Sequence, residues 1–305
     1  MTDLREHIRQ LCHEAGACAA GFARTEPVPD GVAALYDAWL AAGRHGSMAY
    51  LENYSDIRRD PSMLLEGART LVSCAFAYAS ASGTQERSGL FADYAVGADY
   101  HDVLRRALAP VAGFLDGISP GTRICVDTAP LRERFWATRA GVGYIGLNNQ
   151  LIVPGAGSAV FLAEILWTGE VEPDASLEER SCCRCGACLR ACPQQALDGT
   201  GGLDASRCLS YLTIEHRGEL PDSLSLPSHI YGCDICRDVC PESRPSRPLT
   251  VLDDFRPRPE VMALSPDDIR AMTQPDFSRV FKGSAVKRAK LAGLIRNISR
   301  HKSSS

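Results

Sequence analysis

Eight cysteines in two short motifs constrain the fold of this chain more than any other sequence feature. The first motif runs from Cys182 to Pro193 and has the form C-x2-C-x2-C-x3-C-P. Bacterial ferredoxins hold cubane iron–sulfur clusters with this run, in which the three-residue gap sends the fourth sulfur toward a second cluster. The motif therefore predicts two clusters, and it requires a second set of cysteines.

A second motif, from Cys233 to Pro241, has the form C-x2-C-x3-C-P and lacks one cysteine. Cys208 stands alone between the two motifs and is the natural replacement. The ferredoxin rule then divides the eight thiolates between two [4Fe-4S] clusters and leaves no position vacant. The first cysteine set is Cys182, Cys185, Cys188 and Cys240, and the second cysteine set is Cys192, Cys208, Cys233 and Cys236.

Disulfide bonds and structural zinc are the alternatives for these cysteines. Disulfides are typical of exported proteins, and residues 1–20 show no charged segment followed by an apolar one. Zinc accepts C-x2-C pairs but does not explain two x3-C-P endings. The other cysteines are expected to be mostly small buried side chains, with Cys183 as an exposed exception: Cys12, Cys18, Cys74, Cys125 and Cys183.

The composition fits one large or two ordinary domains, since the chain has 305 residues of which 45% are hydrophobic. No apolar run approaches the roughly 20 residues of a membrane span, so we expect a soluble, cytoplasmic protein without a membrane partner. Residues 278–305 hold eight Lys and Arg and no acid, although the net charge of the whole chain is −4. This basic tail indicates either a contact with a polyanion or a solvated terminal helix.

The spacing of apolar residues predicts helices and strands in the first 170 residues. Helices are expected at residues 3–15, 30–42, 101–115 and 130–140. Strands are expected at residues 17–23, 70–78, 123–126, 150–153 and 159–167. After the clusters, Ser265 is expected to cap a helix, and a basic helix over residues 284–299 carries an apolar stripe that includes Ile295.

Asp127 follows the predicted strand 123–126, directly before the next helix, where active-site groups of α/β layers are common. An acid that faces a water-poor cofactor pocket would have a raised pKa, which makes Asp127 a candidate general acid. The alternative is that Asp127 or Thr128 caps the helix. Arg58 or Arg59 could clamp a phosphate or a carboxylate, or could be solvated on its loop.

Two further polar or glycine-rich stretches have open interpretations. Asp99, Tyr100 and His101 stand at a helix entry, where they could bind a ligand or cap the helix. Residues 141–146 fit G-x-G-x-x-G but follow a helix, which excludes the dinucleotide fingerprint. These glycines are expected to let the backbone approach a large flat ligand.

Longer phrases of the sequence resemble epoxyqueuosine reductases, at residues 127–134, 143–146 and 208–218. The resemblance runs from about Met48 to Asn297 and is most specific in the cysteines and in Ser-Tyr-Leu-Thr-Ile-Glu at residues 210–215. It implies a cobalamin-dependent enzyme that uses two [4Fe-4S] clusters. Its expected reaction is the reduction of epoxyqueuosine to queuosine at the wobble position of tRNA.

The resemblance implies an α+β architecture in three parts. Residues 1–170 would form an α/β reductase-like domain that binds cobalamin and substrate, and residues 171–245 a ferredoxin-like domain with both clusters. Residues 246–305 would form an extension with the basic helix. Cobalamin would be bound base-off between the first two parts, and the implied partners of this monomer are tRNA and an external low-potential electron donor.

The resemblance also implies roles for individual residues. Asp127 matches the proton donor of the family and one of its cobalamin contacts. The other implied cobalamin contacts are Arg58, Tyr94, Ser158, Ser210 and Asp234. The implied substrate pocket consists of Asp99, Tyr100, His101 and Arg134.

The sequence departs from the family pattern in two places. Leu147 replaces the lysine that many members have, which affects expected contacts with cobalamin or tRNA. The chain ends soon after Asn297, without the HEAT-like repeats that longer members use on tRNA, so the eight tail bases could supply phosphate contacts instead. Two other functions stay open: reduction of a small molecule with the same cofactors, and electron transfer by a ferredoxin-like carrier.

Overall fold

The computed structural model describes residues 3–78, 89–222, 224–227, 229–246, 249 and 251–301. Its helices are α1 Leu4–Glu14, α2 Asp30–Ala41, α3 Ser55–Arg59, α4 Tyr100–Ile118, α5 Glu133–Arg139, α6 Ala187–Ala191, α7 Leu209–Ile214, α8 Ile235–Asp238, α9 Pro259–Met262, α10 Pro266–Ala271, α11 Gln274–Val280 and α12 Lys290–Ile298. Its strands are β1 Ala19–Arg24, β2 Thr70–Ala77, β3 Thr122–Cys125, β4 Tyr144–Ile145, β5 Leu151–Ile152 and β6 Val160–Trp167.

Four of these strands form one sheet in the order β1-β2-β6-β3, in which each neighbouring pair is antiparallel. All eight residues of β2 are buried, because elements cover both faces of this central strand. The strands β4 and β5 form a separate hairpin. The mixed α and β content agrees with the expected fold class, and the predicted elements of this region appear with shifts of a few residues at their ends.

The two faces of the sheet build two cores. On one face, Leu104 of α4 shares a buried cluster with Phe22 of β1. On the other face, Trp136 of α5 shares a buried cluster with Leu166 of β6. Burial of an apolar side chain of this size contributes roughly 1.5–3 kcal/mol. The two cores therefore hold α4 and α5 firmly against the sheet, and each of these helices positions polar residues at its start.

The close packing of α5 depends on a glycine in β1. A Cβ added at Gly21 would lie 1.9 Å from the carbonyl oxygen of Ala140, directly after α5. The glycines of residues 141–146 have a similar use, since a Cβ at Gly143 would lie 2.6 Å from the carbonyl oxygen of Ile152 in β5. They let the hairpin pack closely, and the approach of a large flat ligand to these glycines stays a prediction.

The C-terminal basic segment is less regular than predicted. It begins with a 3-10 turn at Ala285–Ala289, and α12 starts only at Lys290, where the backbone has a φ of +60° and a ψ of 163°. Of the predicted apolar stripe, Leu294 and Ile298 are 0% and 2% exposed, whereas Ile295 is 40% exposed. The prediction for Ser265 is confirmed, because it caps α10 in a capping box.

Several basic residues of the tail are engaged within the fold. Arg296 donates to the carbonyl oxygens of Leu212, His216 and Gly218. Arg300 bonds to Asp222, and Arg288 bonds to Glu215. The exposed bases without an ion pair to another described residue are Lys282, Lys287 and Lys290, while Lys302 lies outside the described residues. Among the described tail bases, three are thus exposed without an ion pair, and phosphate contacts of the tail stay a prediction.

No helix in the described ranges is both long and apolar enough to cross a membrane.

Asn297 joins α12 to the cluster region and should be important for stability. Its side chain is 0% exposed, and Nδ2 donates to the carbonyl oxygens of Thr213 at 2.8 Å and Ile230 at 2.7 Å. We expect Asn297→Ala to lower the free energy of unfolding by about 2–4 kcal/mol, because two buried carbonyl groups lose their donor. Anaerobic thermal unfolding measures this effect. Exposed Asn53→Ala is the matched control, and equal midpoints for the two variants would contradict the prediction.

Candidate functional site

The first cysteine set surrounds a cavity of about 270 Å³, which is lined by all four of its cysteines. Two short helices create this arrangement, because α6 of the first motif packs against α8 of the second. Cys240 is thereby brought beside Cys182, Cys185 and Cys188, as the predicted division requires. Four sulfur donors around one space fit a cubane cluster.

All four cysteines of the second set are half-buried. Burial, together with the neighbouring thiols of Cys192 and Cys208, raises the pKa of Cys233 and Cys236 to about 12. Within the described residues, no three His, Cys, Asp or Glu side chains lie close enough together to hold a single metal ion. A single zinc ion needs sulfur atoms about 2.3 Å from the metal, so the wide spacing of both sets favours clusters over structural zinc.

Leu147, the residue that stands in place of the expected lysine, lies against the first cysteine set. Its backbone N–H donates to Cys182 Sγ at 3.5 Å, and its side chain lines the same cavity. The side chain is 6% exposed. The substitution therefore bears on the surroundings of the first cluster, where hydrogen bonds to sulfur and the polarity of neighbours tune the reduction potential.

Asp127 is placed by a strained turn after β3. The N–H of Thr128 donates to the carbonyl oxygen of Val126 at 2.5 Å, and Asp127 between them has a φ of +53°. A γ-turn with positive φ is rare, and such strain costs on the order of 1–3 kcal/mol. Since the sheet is antiparallel, this turn, and not the edge of a parallel sheet, presents Asp127 to the cleft.

The alternative that Asp127 or Thr128 caps α5 is wrong. The N-cap residue of α5 is Arg132, which makes no capping bond with its side chain. Asp99, in contrast, does cap α4, because its carboxylate accepts the N–H of His101 at 3.1 Å.

Asp127 Oδ2 is hydrogen-bonded to two neighbouring side chains of α4. It accepts a hydrogen bond from the Tyr100 hydroxyl at 2.9 Å and contacts His101 Nε2 at 3.1 Å. The other ring nitrogen of His101, Nδ1, lies 2.6 Å from Asp99 Oδ1. Burial disfavours the charged imidazole, but the bonds to Asp127 and Asp99 outweigh burial and raise the pKa of His101 to about 9. His101 is therefore protonated at neutral pH.

The pKa of Asp127 is below its usual value, so the expectation of a raised pKa is wrong. Burial favours the neutral carboxyl, but the hydrogen bonds from His101 and Tyr100 have the greater effect. Asp127 is thus a carboxylate at neutral pH. The proton within its reach is the one that His101 holds, so the pair can deliver a proton although Asp127 by itself does not store one.

Glu133 is a residue of this site that the sequence analysis missed. It starts α5, and its carboxylate accepts the backbone N–H of Asp127. Burial and then the charge of Asp127 raise the pKa of Glu133 to about 8. In the sequence, it looks like any acid in the first turn of a helix. Only the structure shows that it fastens the backbone of the strained turn.

The cleft that holds Asp127 is open to solvent beside the basic segment. The Asp127 side chain is 56% exposed. Arg288 lies at the mouth of the cleft, with its guanidinium 5.5 Å from the centre of the Tyr50 ring and bonded to Glu215 at 2.7 and 2.8 Å. The charge of Arg288 also contributes to the low pKa of Asp127.

Three of the predicted cofactor contacts lie around the second cysteine set. Asp234 directly follows Cys233, and Ser210 follows Cys208 by two residues. Tyr94 lies 3.5 Å from a Cβ added at Gly232, the residue before Cys233. The Tyr94 ring centre is 6.4 Å from that of Tyr100, which binds Asp127. The rings of Tyr94 and Tyr100 thus lie between Gly232, next to Cys233, and Asp127.

Asp234 and Ser158 also hold parts of the chain together. Asp234 is 6% exposed, accepts the N–H of Asp93 at 2.8 Å and forms an ion pair with Arg237 at 3.5 Å. Ser158 is 4% exposed, and its hydroxyl donates to Ser243 Oγ at 2.6 Å. Both residues tie the first 170 residues to the cluster region, and their cobalamin contacts stay predictions.

Arg58 and Arg134 are likewise bonded within the protein. Arg58 donates to the carbonyl oxygens of Asn53 and Tyr50, and it lines a cavity of about 290 Å³. Arg134 donates to the carbonyl and side-chain oxygens of Asn149. Arg58 shapes the loop that carries Tyr50 to the cleft, and Arg134 joins α5 to the hairpin.

Two family models match the chain. The model described as a 4Fe-4S double cluster binding domain matches residues 181–243. The model described as epoxyqueuosine reductase QueG matches residues 58–128. The first range contains both cysteine motifs and Cys208, and the second ends one residue after Asp127. The prediction of two [4Fe-4S] clusters is thereby confirmed.

Curated relatives named epoxyqueuosine reductase align over most of the chain. The protein of Leadbetterella byssophila is 34% identical, over 98% of this chain and 98% of its own length. The protein of Cellulophaga algicola is 36% identical, over 85% of this chain and 86% of its own length.

Solved structures of enzymes with the same name share the fold. One is a crystal structure of epoxyqueuosine reductase with an epoxyqueuosine-modified stem loop of tRNA-Tyr, at 30% identity and a TM-score of 0.88, over 97% of this chain and 80% of that chain. Another is the enzyme of Bacillus subtilis with its catalytic aspartate loop swung out of the active site, at 30% identity and a TM-score of 0.86, over 97% and 80%.

The division of the cysteines predicts that Cys208 is a ligand and that Cys183 is not. Cys208→Ala should lower the iron content of the anaerobically reconstituted protein from about eight to about four atoms per chain, since one cluster loses a ligand. Cys183→Ala is the matched control and should keep about eight. Iron and sulfide analysis measures both. Retention of about eight irons in the Cys208 variant would refute the assignment of this ligand.

The bond from Asp127 to Glu133 should keep the strained turn in place. We expect Glu133→Ala to increase hydrogen exchange of a peptide covering residues 124–132 by about tenfold or more, because a buried donor loses its acceptor and the turn opens more often. Glu133→Gln keeps an acceptor oxygen and should exchange more slowly than the Ala variant. Glu178→Ala, at an exposed partner of Arg139 in α5, is the control for general loosening of the helix. Equal exchange in the Ala and wild-type proteins would contradict this role.

Proposed function

Because the chain belongs to the epoxyqueuosine reductase family, we propose that it is a cobalamin-dependent oxidoreductase that reduces epoxyqueuosine to queuosine in tRNA. The two [4Fe-4S] clusters of its double-cluster domain carry the electrons. The observation that supports this function most directly is the position of Asp127. Its side chain is 56% exposed, lies beside a protonated histidine and is bonded to Tyr100, whose ring lies 6.4 Å from that of Tyr94 near Gly232 and Cys233.

The reaction needs both electrons and protons. Removal of an epoxide oxygen as water leaves an alkene and consumes two electrons and two protons. Bound cobalamin would supply a low-potential metal centre that reacts with the epoxide carbon, and the clusters would supply single electrons to it. The protein must then hold the substrate, exclude competing water and bring a proton to the oxygen that leaves.

The side chains around Asp127 can carry out the proton transfer. His101 donates toward Asp127 Oδ2 at 3.1 Å, and Asp99 holds the far side of the ring at 2.6 Å. As the epoxide oxygen gains negative charge, Asp127 passes on the proton that His101 supplies. Glu133 keeps the turn closed during this transfer, and the Tyr100 hydroxyl fixes the direction of the carboxylate.

We expect cobalamin to lie between the second cysteine set and Asp127. Ser210 and Asp234 stand within two residues of Cys208 and Cys233 in the chain, and Tyr100, which binds Asp127, has its ring centre 6.4 Å from that of Tyr94. A corrin in this position would be close both to the second cluster, from which it receives electrons, and to the group that delivers the proton. This closeness supports cobalamin as the cofactor of the chain.

The basic side chains near the cleft support tRNA as the substrate. Lys287 and Lys290 are exposed on either side of Arg288, which lies at the cleft mouth. Lysine and arginine contacts to phosphates position RNA without reading its sequence. A relative has been crystallised with a modified tRNA stem loop. We propose that this chain binds tRNA as a cytoplasmic monomer and receives electrons from an external low-potential donor.

The activity can be tested with anaerobically reconstituted protein, cobalamin, a chemical reductant and tRNA that contains epoxyqueuosine. Nucleoside mass spectrometry should show conversion to queuosine by the wild-type protein. Asp127→Asn should keep both clusters and the absorbance change on cobalamin binding, while turnover falls by roughly two to four orders of magnitude because the proton path is broken.

Asp102→Asn, on the exposed side of α4, is the matched control and should react like the wild type. Unchanged epoxyqueuosine with the wild-type protein would discard the tRNA substrate and favour a small molecule. If the wild-type protein did not bind cobalamin, the only remaining function would be that of a ferredoxin-like electron carrier. Normal turnover of the Asp127 variant would remove Asp127 from the mechanism.

A further inference from the structure

The two cysteine sets differ in their access to the surface. Cys185 of the first set is exposed, as is the neighbouring Cys183, whereas no cysteine of the second set is exposed. Electron transfer between proteins slows steeply as the distance between the redox centres grows. An external donor can therefore approach the first cluster more closely than the second.

Two exposed arginines lie close to Cys183 and Cys185 in the chain. Arg184 stands between Cys183 and Cys185 on an exposed turn with a φ of +51°. Arg190 is exposed, and its Nη1 donates to the carbonyl oxygen of Cys185 at 3.1 Å. Neither guanidinium forms an ion pair with a residue of the described ranges. Both positive charges therefore point to solvent within a few residues of the first cluster.

Two nearby acids are engaged with other groups. Glu242 accepts the N–H of Cys183 at 2.7 Å and the hydroxyl of Tyr144 at 3.0 Å. Glu178 is bonded to Arg139 at 2.9 Å. Arg184 forms no ion pair with a described residue, and Arg190 bonds only to an uncharged carbonyl group, so both keep their positive charge unpaired beside a further exposed acid, Glu179. The surface over the first cluster thus offers free positive charge, although residues 1–277 as a whole are acidic.

We propose that the surface formed by Cys183, Arg184, Cys185 and Arg190, the donor face, is where the external electron donor docks, and that this donor is a small acidic one-electron carrier protein. The inference rests on the proposed function in one respect, since it assumes that an outside protein reduces the clusters. Complementary charge raises the rate of encounter between two proteins and orients them, without a large contact area. Transient redox contacts bury less than about 1,200 Å².

The electron balance of this step is simple. One donor molecule is oxidised by one electron, and the first cluster is reduced by the same electron, which then passes to the second cluster. Two such encounters supply the two electrons that one epoxide needs. Fast and reversible docking suits this repeated use, because the spent donor must leave before the next one binds.

The test is a stopped-flow measurement of cluster reduction in the full chain. The decrease in cluster absorbance is recorded over time, and no tRNA is present. The probe is a flavodoxin hydroquinone, which is a small acidic protein that gives one electron. Combined Arg184→Glu and Arg190→Glu substitutions should lower the second-order rate constant by about tenfold or more at low ionic strength. The difference should shrink at high salt, because salt screens exposed charges.

Three comparisons keep the result specific. Reduction by dithionite, which needs no protein docking, should be unchanged in the variant. The conservative pair Arg184→Lys and Arg190→Lys should keep most of the flavodoxin rate, and Arg256→Glu with Arg270→Glu, two exposed arginines elsewhere, should have little effect. An unchanged flavodoxin rate in the charge-reversed variant would overturn the proposal, and so would an equal loss with dithionite. Because no tRNA is present, either outcome is independent of the reductase activity.

Discussion

The hydrogen bonds that hold Asp127 in place are the constraint on which the rest of the site depends. Its backbone adopts a strained turn, which persists only because groups on both sides hold it. Glu133 binds the backbone N–H, while Tyr100 and His101 bind the carboxylate. These partners stand at the starts of α4 and α5, which pack on opposite faces of the same sheet. The two cores of the protein thus determine the position of a single carboxylate.

In the proposed reaction, the same arrangement brings electrons and a proton to one place. The first cysteine set includes the exposed Cys185, the four cysteines of the second set are half-buried, and the rings of Tyr94 and Tyr100 lie between Gly232, next to Cys233, and Asp127. The proton comes from the opposite side, where Asp99 and Asp127 hold a charged imidazole between them. We propose that the reduction takes place where these two routes meet, beside the solvent-exposed side chain of Asp127.

Much of the fold and of the candidate site could be predicted from the sequence. The predictions that were wrong or missing have physical reasons. Cluster ligands are recognisable because a cubane fixes the number of residues between its thiolates. Asp127 was found from its position after a strand, but its low pKa was not, because His101 and Tyr100 approach it only in the folded chain. The sequence showed that Leu147 replaces a lysine of the family, but only the fold of the β4–β5 hairpin shows that it lies against Cys182. The charge pattern of the tail does not show that Arg296 is engaged, because the carbonyl groups of α7 and of the following loop reach it only in the folded chain.

The sequence by itself determined the two clusters, the mixed α and β fold and the family, because these depend on short spacings and phrases that are local in the chain. The tertiary structure decided which thiols share a cavity, which bases stay free and how Asp127 obtains a proton. Glu133 illustrates the difference: in the sequence it is an ordinary acid at a helix start, and its role comes from an N–H group six positions earlier that a strained turn directs toward it. Hydrogen bonds and charge interactions act over a few ångströms, and only folding sets those distances.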